Sequence, residues 1–260
     1  SSYMLFKPQR KKTEIQEKLL IDTTEITRVK KARYLGIIID EQLNFKEQHA
    51  KLVSKITEAV NALICVRDTL NYRSKIALYN ALFKSHLEYC AMVYYDCLNK
   101  KQMDKLVKLQ KKAIRLVFRA PIGAHTGRLF KLADVVPVKN LYSVEALKFV
   151  FKSKNELYSK YQPAAINELF KPQKDMRHTR RAENFQIMRL PRNCKKGNAL
   201  YNLLMNWNTA KDSHKLSGNL FALKQSLKEE IMKSILECTM SECQICKKDA
   251  RKNYQRYQEA

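Results

Sequence analysis

Glycine and proline are scarce in this chain, which has five glycines and six prolines among 260 residues. All-β sandwiches and disordered linker proteins are richer in these turn-forming residues, so the composition argues against both classes. Uninterrupted apolar runs are also short, and none approaches the roughly 18 residues of a membrane-spanning helix. Apolar residues still make up 45% of the chain and aromatic residues 9%, which is enough to build a folded core.

Acidic residues are half as numerous as basic ones. Twenty-five Asp and Glu stand against 50 Lys and Arg, which gives a net charge of +25. This excess is far larger than solubility requires, and it predicts a polyanionic partner. Nucleic acid is the first candidate for that partner. An anionic membrane surface and a basic, ribosome-like structural role are the alternatives.

The first residues lack the basic, apolar and small-residue order of a signal peptide, and the chain does not begin with methionine. It opens instead within the apolar pattern SYMLF, as a strand cut from a larger sheet would. We therefore expect a fragment of a larger protein. Seven cysteines without dense spacing indicate reduced thiols in an intracellular protein.

Three cysteines near the C-terminus form a C-x4-C-x2-C pattern at Cys238, Cys243 and Cys246. The last two have the spacing of zinc ligands, but a structural zinc needs four ligands and no histidine follows at the usual distance. Cys194 or His214 could complete such a site from elsewhere in the chain. Free thiols on a terminal helix are the favoured interpretation, so we predict no metal site.

Residues 1–44 have the pattern of a small antiparallel β portion. The most apolar strand contains Gly36, which suggests a bulge or the close approach of another backbone. The predicted strands are Tyr3–Phe6, Lys18–Ile21, Thr23–Arg28 and Tyr34–Ile39.

Apolar residues then recur with a helical period, and they predict three helices joined by short connections over residues 45–120. Asn71 or Ser74 can cap the second helix, and Pro121 and Gly123 should end the third. The second predicted helix carries His86 on its apolar face, so we expect this histidine at a core or boundary position.

Residues 121–260 are predicted to add further helices around a short strand. The predicted fold is therefore mainly α with a small N-terminal antiparallel β portion, in three parts at 1–44, 45–120 and 121–260. The segments predicted in the last part are helices at 141–157, 199–207 and 220–238 and a strand at Phe185–Leu190.

Candidate catalytic groups are few. Metal-dependent phosphoryl transfer needs clustered carboxylates, and the chain contains no adjacent pair of aspartates. Tyr94-Tyr95-Asp96 resembles a polymerase Tyr-x-Asp-Asp box only superficially, since one aspartate is followed by Cys97. Asp40 and Glu41 are interpreted as the end of a strand and the start of a helix. No phosphate-binding glycine loop and no Ser/His/Asp or Cys/His signature is present.

The third predicted helix carries a stripe of basic residues opposite its apolar face. Its members are separated by steps of 4, 3, 4, 3 and 4, and Asp104 is the only acid within the helix. A solvated charged face usually interleaves acidic residues, and like charges at this spacing repel one another. The stripe therefore predicts a track for nucleic-acid phosphates, which would bind without reading bases. It consists of Lys101, Lys105, Lys108, Lys112, Arg115 and Arg119.

Three segments in the first half of the chain carry recognisable motifs. The first segment is similar to the motif KYLGV-x-ID-x-x-L-x-W-x-x-H and reads ARYLGIIIDEQLNFKEQHAKLVSKI, with Phe45 in place of tryptophan and His49 one residue beyond the histidine of the motif. LYNALFKSHLEYCAMVYYD is similar to LY-x-AL-x-x-x-x-L-x-YG-x-x-VW, with Cys90 in place of glycine and Tyr94 in place of tryptophan. KLVKLQKKAIRLVF is similar to LQ-K-x-A-x-R. In this order they resemble the palm–thumb border and thumb of jockey-like non-LTR retrotransposon reverse transcriptases.

The resemblance covers nearly the whole chain. SSYMLF is similar to the palm strand that follows the catalytic hairpin in this family. Segments beyond the thumb are similar as well, namely HTGRLFKLADVVPVKNLYSVEALKFVFK, RHTRRAENF, the pair Trp207-Asn208, and NLFALKQSLKE.

The resemblance implies a remnant of the palm sheet, a helical thumb and a helical connecting region. Tyr34, Leu35 and Gly36 would form the primer-grip turn. The thumb and connecting region would grip a template–primer RNA–DNA hybrid, and the missing fingers and palm would be a further partner. The expected location is intracellular, nuclear with cytoplasmic passage, and not in a membrane. Arg177, Arg180 and Arg181 form a second, weaker basic patch in the connecting region.

The complete enzyme of this family would use magnesium, but this chain carries no paired aspartates to hold it. We therefore expect no cofactor in this chain and no polymerisation by this chain alone. A non-catalytic module for nucleic-acid binding or interaction, or a non-functional relic of such an enzyme, is the alternative.

Overall fold

The computed structural model describes residues 2–6, 19–21, 23–155, 160, 170, 184–187 and 199–235. Short strands precede a mainly helical body, which confirms the predicted class of a mainly α fold with a small β portion. The helices are α1 (Lys46–Cys65), α2 (Tyr72–Leu78), α3 (Ser85–Glu88), α4 (Ala91–Tyr94), α5 (Lys100–Val117), α6 (Gly127–Ala133), α7 (Val138–Lys154), α8 (Ala199–Thr209), α9 (Asp212–Lys215) and α10 (Leu220–Ser234).

The strands pair in twos. The first pair, β1 with β4, is parallel, whereas β2 with β3 and β5 with β6 are antiparallel. The β5–β6 hairpin rests on the helices, because Ile37 is buried in their core and Ile39 packs against it. The strands are β1 (Ser2–Tyr3), β2 (Leu20–Ile21), β3 (Thr24–Glu25), β4 (Thr27–Arg28), β5 (Lys31–Tyr34) and β6 (Ile37–Asp40).

The single strand predicted at Tyr34–Ile39 is wrong, because a tight turn divides it. Tyr34 pairs with Ile37, and the two residues between them both have positive φ, 45° at Leu35 and 80° at Gly36. Two successive left-handed residues are the signature of a two-residue hairpin turn, and glycine adopts this conformation without steric cost. Gly36 therefore marks a turn and not a bulge.

Asp40 fixes the step from the hairpin to α1. One carboxylate oxygen accepts the backbone N–H groups of Gln42 at 3.0 Å and Asn44 at 3.3 Å, and the other accepts that of Phe45 at 2.8 Å. A carboxylate bound by backbone donors holds a turn in one conformation. Asp40 is the last residue of β6, as predicted, whereas Glu41 lies in the turn and the helix begins only at Lys46.

The three helices predicted over residues 45–120 are present, and the second is a composite rod. Asn71 caps it by accepting the backbone N–H of Ser74 at 2.9 Å. A π-helical turn at Tyr79–Lys84 then links α2 to α3. A π turn contains more residues than an α turn, so it changes which positions share a face, and here Tyr79, Phe83 and Leu87 are all buried. His86 is exposed in consequence, which corrects its predicted core or boundary position.

The third helix, α5, begins and ends at clear caps. The side chain of Asn99 accepts the backbone N–H of Gln102, and the side chain of Gln102 accepts that of Asn99, both at 2.9 Å. At the other end, Ala120 N–H donates to the carbonyl of Arg115 at 2.8 Å across the left-handed residue Arg119. The helix therefore stops at Val117, before the predicted breakers Pro121 and Gly123.

Buried side chains of the described residues form two clusters, and α7 belongs to both. The first extends from Ile37 to Leu141, so it continues across the boundary that was predicted at residue 120. The sequence predicted that α7 starts at Leu141. The helix begins earlier, at Val138, directly after Pro137. The second cluster joins the later part of α7 to α8 and α10.

The second cluster is centred on Trp207, which is 1% exposed. Its neighbour Asn208 exchanges two hydrogen bonds with the backbone of Phe185, both at 2.9 Å. The Trp207-Asn208 pair therefore ties a distant segment to α8. Phe185 forms an isolated β-bridge where a strand was predicted, and residues 188–190 of that strand lie outside the described residues.

Cys90, which stands where the resembled motif has glycine, has a φ of 51°. This left-handed conformation costs an L-residue about 1–2 kcal/mol, and a β-branched side chain fits it worst. We expect Cys90→Val to lower the free energy of unfolding by about 2 kcal/mol, and Cys90→Gly to leave it unchanged or raise it by up to about 1 kcal/mol. Urea unfolding measures both changes.

The matched control is Cys65→Val, at an exposed cysteine in the last turn of α1. Valine and cysteine have similar helix propensities, so this change should stay within about 0.5 kcal/mol. Equal losses for Cys90→Val and Cys90→Gly would mean that packing, and not backbone strain, decides stability at this position.

Candidate nucleic-acid interface

The lysines of the basic stripe lie on the exposed face of α5. Its opposite face is buried through Leu106, Ala113 and Ile114, each 0% exposed. No carboxylate in the described part of the chain forms an ion pair with any of the stripe lysines. The four exposed residues are Lys101, Lys105, Lys108 and Lys112, which we call the lysine track.

Arg115, the fifth predicted member of the stripe, makes a contact within the protein. Its Nε donates to the carbonyl of Ala124 at 2.9 Å, which holds the connection between α5 and α6. Partial burial lowers the pKa of its guanidinium from the usual value. The side chain thus has a structural contact in addition to its place on the stripe.

Arg119, the sixth member, binds the loop that follows α1. Its Nε donates to the carbonyl of Arg67 at 2.9 Å, and an Nη donates to that of Asp68 at 2.7 Å. The carbonyl of Arg67 also accepts from Nζ of Lys75 at 3.1 Å. Burial lowers the pKa of that ammonium group to about 8. Arg119 therefore helps to hold the C-terminal end of α1.

The N-terminal end of α5, where the lysine track begins, contacts α1 through His49. Its Nε2 lies 3.1 Å from the carbonyl of Gln102, and the side chain is 7% exposed. Burial lowers the pKa of His49, the hydrogen bond to Gln102 raises it, and the charge of Lys105 lowers it further. These contacts fix the first turn of α5 against α1.

The side chains at the predicted primer-grip turn are exposed, and two other side chains hold its backbone in place. Tyr34 is 65% and Leu35 72% exposed. The hydroxyl of Tyr89 donates to the carbonyl of Leu35 at 2.6 Å, and Nζ of Lys51 donates to that of Gly36 at 3.0 Å. The turn therefore presents an aromatic and an aliphatic side chain on a backbone fixed by two donors.

Both parts of the candidate interface are supported by the first half of α1. The hairpin contacts it through Lys51 and through Gln48, whose side chain accepts the backbone N–H of Ile38 at 3.0 Å. On the other side, His49 of the same helix meets the start of α5. A single rigid helix thus connects the turn with the lysine track.

The other predicted candidates divide into buried residues and residues outside the described part. Tyr94 and Tyr95 are 1% and 2% exposed, and the hydroxyl of Tyr95 donates to the carbonyl of Leu87 at 2.7 Å. Burial raises the pKa of both phenols, that of Tyr94 to about 12. The two tyrosines are therefore part of the core, and the half-buried Asp96 accepts a hydrogen bond from the side chain of Asn202. The residues outside the described part are Arg177, Arg180, Arg181, Cys238, Cys243 and Cys246.

One cluster of polar side chains was missed by the sequence analysis. His214, 4% exposed, contacts the carboxylate of Glu230 through Nε2 and the hydroxyl of Ser226 through Nδ1, the latter at 2.9 Å. Lys211 also pairs with Glu230 at 2.8 Å. Bonds from Lys211 and His214 lower the pKa of Glu230. Ser226 and Glu230 share one face of α10, so the cluster fastens α9 to α10.

Within the ranges that the structure describes, no group of three His, Cys, Asp or Glu residues is placed to hold a metal ion. Over the same ranges, no helix is long and apolar enough to cross a membrane. Comparisons of the chain with protein-family models, with curated proteins and with solved structures find no significant match.

Proposed function

We propose that this chain is the C-terminal part of a reverse transcriptase of the non-LTR retrotransposon type, and that it grips the template–primer RNA–DNA hybrid through backbone phosphates. The lysine track carries the proposal. Four exposed ammonium groups lie along one helix face without a described carboxylate partner, and like charges in this arrangement repel unless an anion lies along them.

The dimensions of the lysine track suit a nucleic-acid backbone. Lys101 and Lys112 are eleven residues apart, which corresponds to about 16 Å along a helix. Successive phosphates of one strand are separated by about 3.4 Å along a duplex axis, so the track can follow several of them. Lysine is a point charge on a flexible stem, which favours phosphate contact without base recognition.

The hairpin turn supports the same function. A polymerase must hold the primer end near the palm, and an exposed Tyr34 and Leu35 on a fixed turn can contact sugar and base surfaces there. The left-handed conformation of Cys90 also fits the glycine of the resembled thumb motif. The exposed turn and the conformation of Cys90 thus support the resemblance independently of the lysine track.

The chemistry of polymerisation would come from elsewhere. Two magnesium ions need clustered carboxylates, and the chain has no adjacent aspartates. The proposed partners are therefore the hybrid and the fingers and palm that would carry the metals, with magnesium as the cofactor of the complete enzyme. The missing carboxylates also favour a second candidate, a non-catalytic nucleic-acid-binding module. Such a module should not distinguish an RNA–DNA hybrid from other duplexes.

Reversal of the lysine track tests the proposal. Replacing Lys101, Lys105, Lys108 and Lys112 by glutamate should lower affinity for a labelled RNA–DNA hybrid by more than about tenfold at moderate salt, because each reversal removes a phosphate contact and adds repulsion. Fluorescence anisotropy measures the dissociation constant. Circular dichroism verifies the fold of each variant.

The control reverses as many lysines outside α5, so both variants have the same net charge. Suitable residues without a described partner are Lys30, Lys46, Lys139 and Lys152. The proposal requires a much smaller loss in this control. Equal losses would make the chain a diffuse polycation, and preserved affinity in the track variant would make the stripe a solvated face. Equal affinity of the wild-type chain for hybrid and double-stranded DNA would favour the second candidate.

A further inference from the structure

A second basic surface lies away from the lysine track, in an open groove of 750 Å³ between the end of α6 and α10. Lys131 and Asp134 line it from α6 and the residue after it. The opposite wall comes from α10, chiefly through Phe221, Lys224 and Met232. None of the residues that support the proposed hybrid grip takes part in this groove.

The α10 wall is a regular helix face. Phe221, Gln225, Lys228 and Met232 follow one another by steps of 4, 3 and 4, which places them in one line along the helix. The core face of the same helix is formed by Leu223 and Leu227, 0% and 6% exposed. The line from Phe221 to Met232 is thus a second apolar and basic face, about 16 Å long.

Phe221 is exposed to an unusual degree for its type. Its side chain is 75% exposed at the N-terminal end of α10, beside Lys224. Contacts with the described residues leave most of this ring in water, so a partner that covers it would bury apolar surface. An exposed aromatic ring flanked by lysines is the arrangement that single-stranded nucleic acids recognise.

The charges in the groove favour an anion. The groove has a positive excess, because Asp134 pairs with Lys228 and the other carboxylate, Glu229, accepts only from the neutral side chain of Gln225. Three lysines remain without a partner among the described residues. They are Lys131, Lys224 and Lys233.

We propose that the groove between α6 and α10 binds single-stranded nucleic acid, with a base stacked on Phe221 and the adjoining phosphates near Lys131, Lys224 and Lys233. Its length suits a few nucleotides, and every base has a π-face for the ring. The groove is separate from the hybrid grip, so the inference does not depend on it.

Substitution of Phe221 separates stacking from simple apolar contact. The measured quantity is the anisotropy of a labelled oligouridylate, which has little structure of its own. Phe221→Leu keeps most of the apolar area but loses the π-face, so affinity should fall by about tenfold. Phe221→Tyr keeps the π-face and should stay close to wild type. If the leucine and tyrosine variants bound oligouridylate with equal affinity, the proposal that a base stacks on Phe221 would be wrong.

The lysines need a matched control of their own. Replacing Lys131, Lys224 and Lys233 by glutamine should weaken oligouridylate binding by at least tenfold and leave hybrid binding within about twofold. The control replaces Lys30, Lys139 and Lys152, and it should leave oligouridylate affinity nearly unchanged. Equal losses in both triple variants would overturn the proposal.

Two further measurements identify the occupant. Ultraviolet cross-linking of a 5-bromouridine oligomer, followed by mass spectrometry, should place the adduct at or beside Phe221. Polyglutamate should compete poorly, because it has charge but no base to stack. Competition by polyglutamate as strong as that by oligouridylate would assign the groove to acidic peptides and overturn the proposal. The lysine-track variant should still bind oligouridylate, which keeps the two proposals distinguishable.

Discussion

Replacing Gln110 by leucine is expected to lower the free energy of unfolding by about 3–5 kcal/mol. This side chain is 2% exposed in the interior face of α5. Its Nε2 donates to the hydroxyl of Tyr79 at 3.1 Å and to the carbonyl of Val136 at 3.0 Å. Its Oε1 accepts the backbone N–H of Val138 at 2.7 Å. Leucine is similar in size but leaves two buried polar groups and one partly buried carbonyl without their partner, and each such loss costs about 1–3 kcal/mol.

Urea unfolding followed by circular dichroism measures this change. The matched control is Gln225→Leu, at an exposed glutamine of α10, which should change the free energy of unfolding by less than about 0.5 kcal/mol. A loss below about 1 kcal/mol for Gln110→Leu would mean that water replaces the glutamine contacts. The loss should be accompanied by loosening of α7, because Val138 is the first residue of that helix.

Gln110 also illustrates what the sequence could not predict. Gln110 follows the buried Leu106 by four residues, so its spacing fits the apolar face of α5, but periodicity neither predicts the burial of an amide nor identifies its partners. Those partners come from the composite rod and from the connection before α7, which are 31 and 26–28 residues away. The resembled motif LQ-K-x-A-x-R contains this glutamine, and its arginine corresponds to Arg115. Both side chains hold the fold, and so the motif carries structural information.

The lysine track was predictable because helical spacing alone determines which residues share a face. The contacts that Arg115 and Arg119 make within the protein were not predictable. A long guanidinium side chain reaches carbonyl groups of whichever loop lies nearby, and Arg119 reaches Arg67 and Asp68 across more than fifty residues of sequence. Sequence patterns thus located the basic surface but overestimated how many of its cations have no contact within the protein.

Two local errors have the same physical origin, a backbone that departs from a regular period. The turn at Leu35 and Gly36 interrupts what reads as one apolar strand, since leucine seldom adopts positive φ and gives no turn signal. The π-helical turn at Tyr79–Lys84 changes the spacing of the buried face, which moved His86 to the surface. The groove beside Phe221 was not foreseen because α6 and α10 are distant in sequence.

Raising the salt concentration from 50 to 200 mM is expected to weaken binding of the RNA–DNA hybrid by about 150-fold. Each phosphate contact releases condensed counterions and contributes about 0.9 to the slope of log affinity against log salt. Four contacts from the lysine track predict a slope of about −3.6, which gives a loss of this size over a fourfold change in salt. Anisotropy titrations at several salt concentrations measure the slope.

Single substitutions make the salt experiment specific. Lys111 and Lys112 are neighbours on α5 and both are exposed, but successive helical residues point about 100° apart, so only Lys112 lies on the lysine track. Lys112→Gln should reduce the slope by about 0.9, whereas Lys111→Gln should leave it unchanged. Both variants carry the same net charge, so a diffuse polycation would show equal changes. Equal slopes would therefore contradict a backbone track, and a difference confined to Lys112 would place the phosphates along one face of α5.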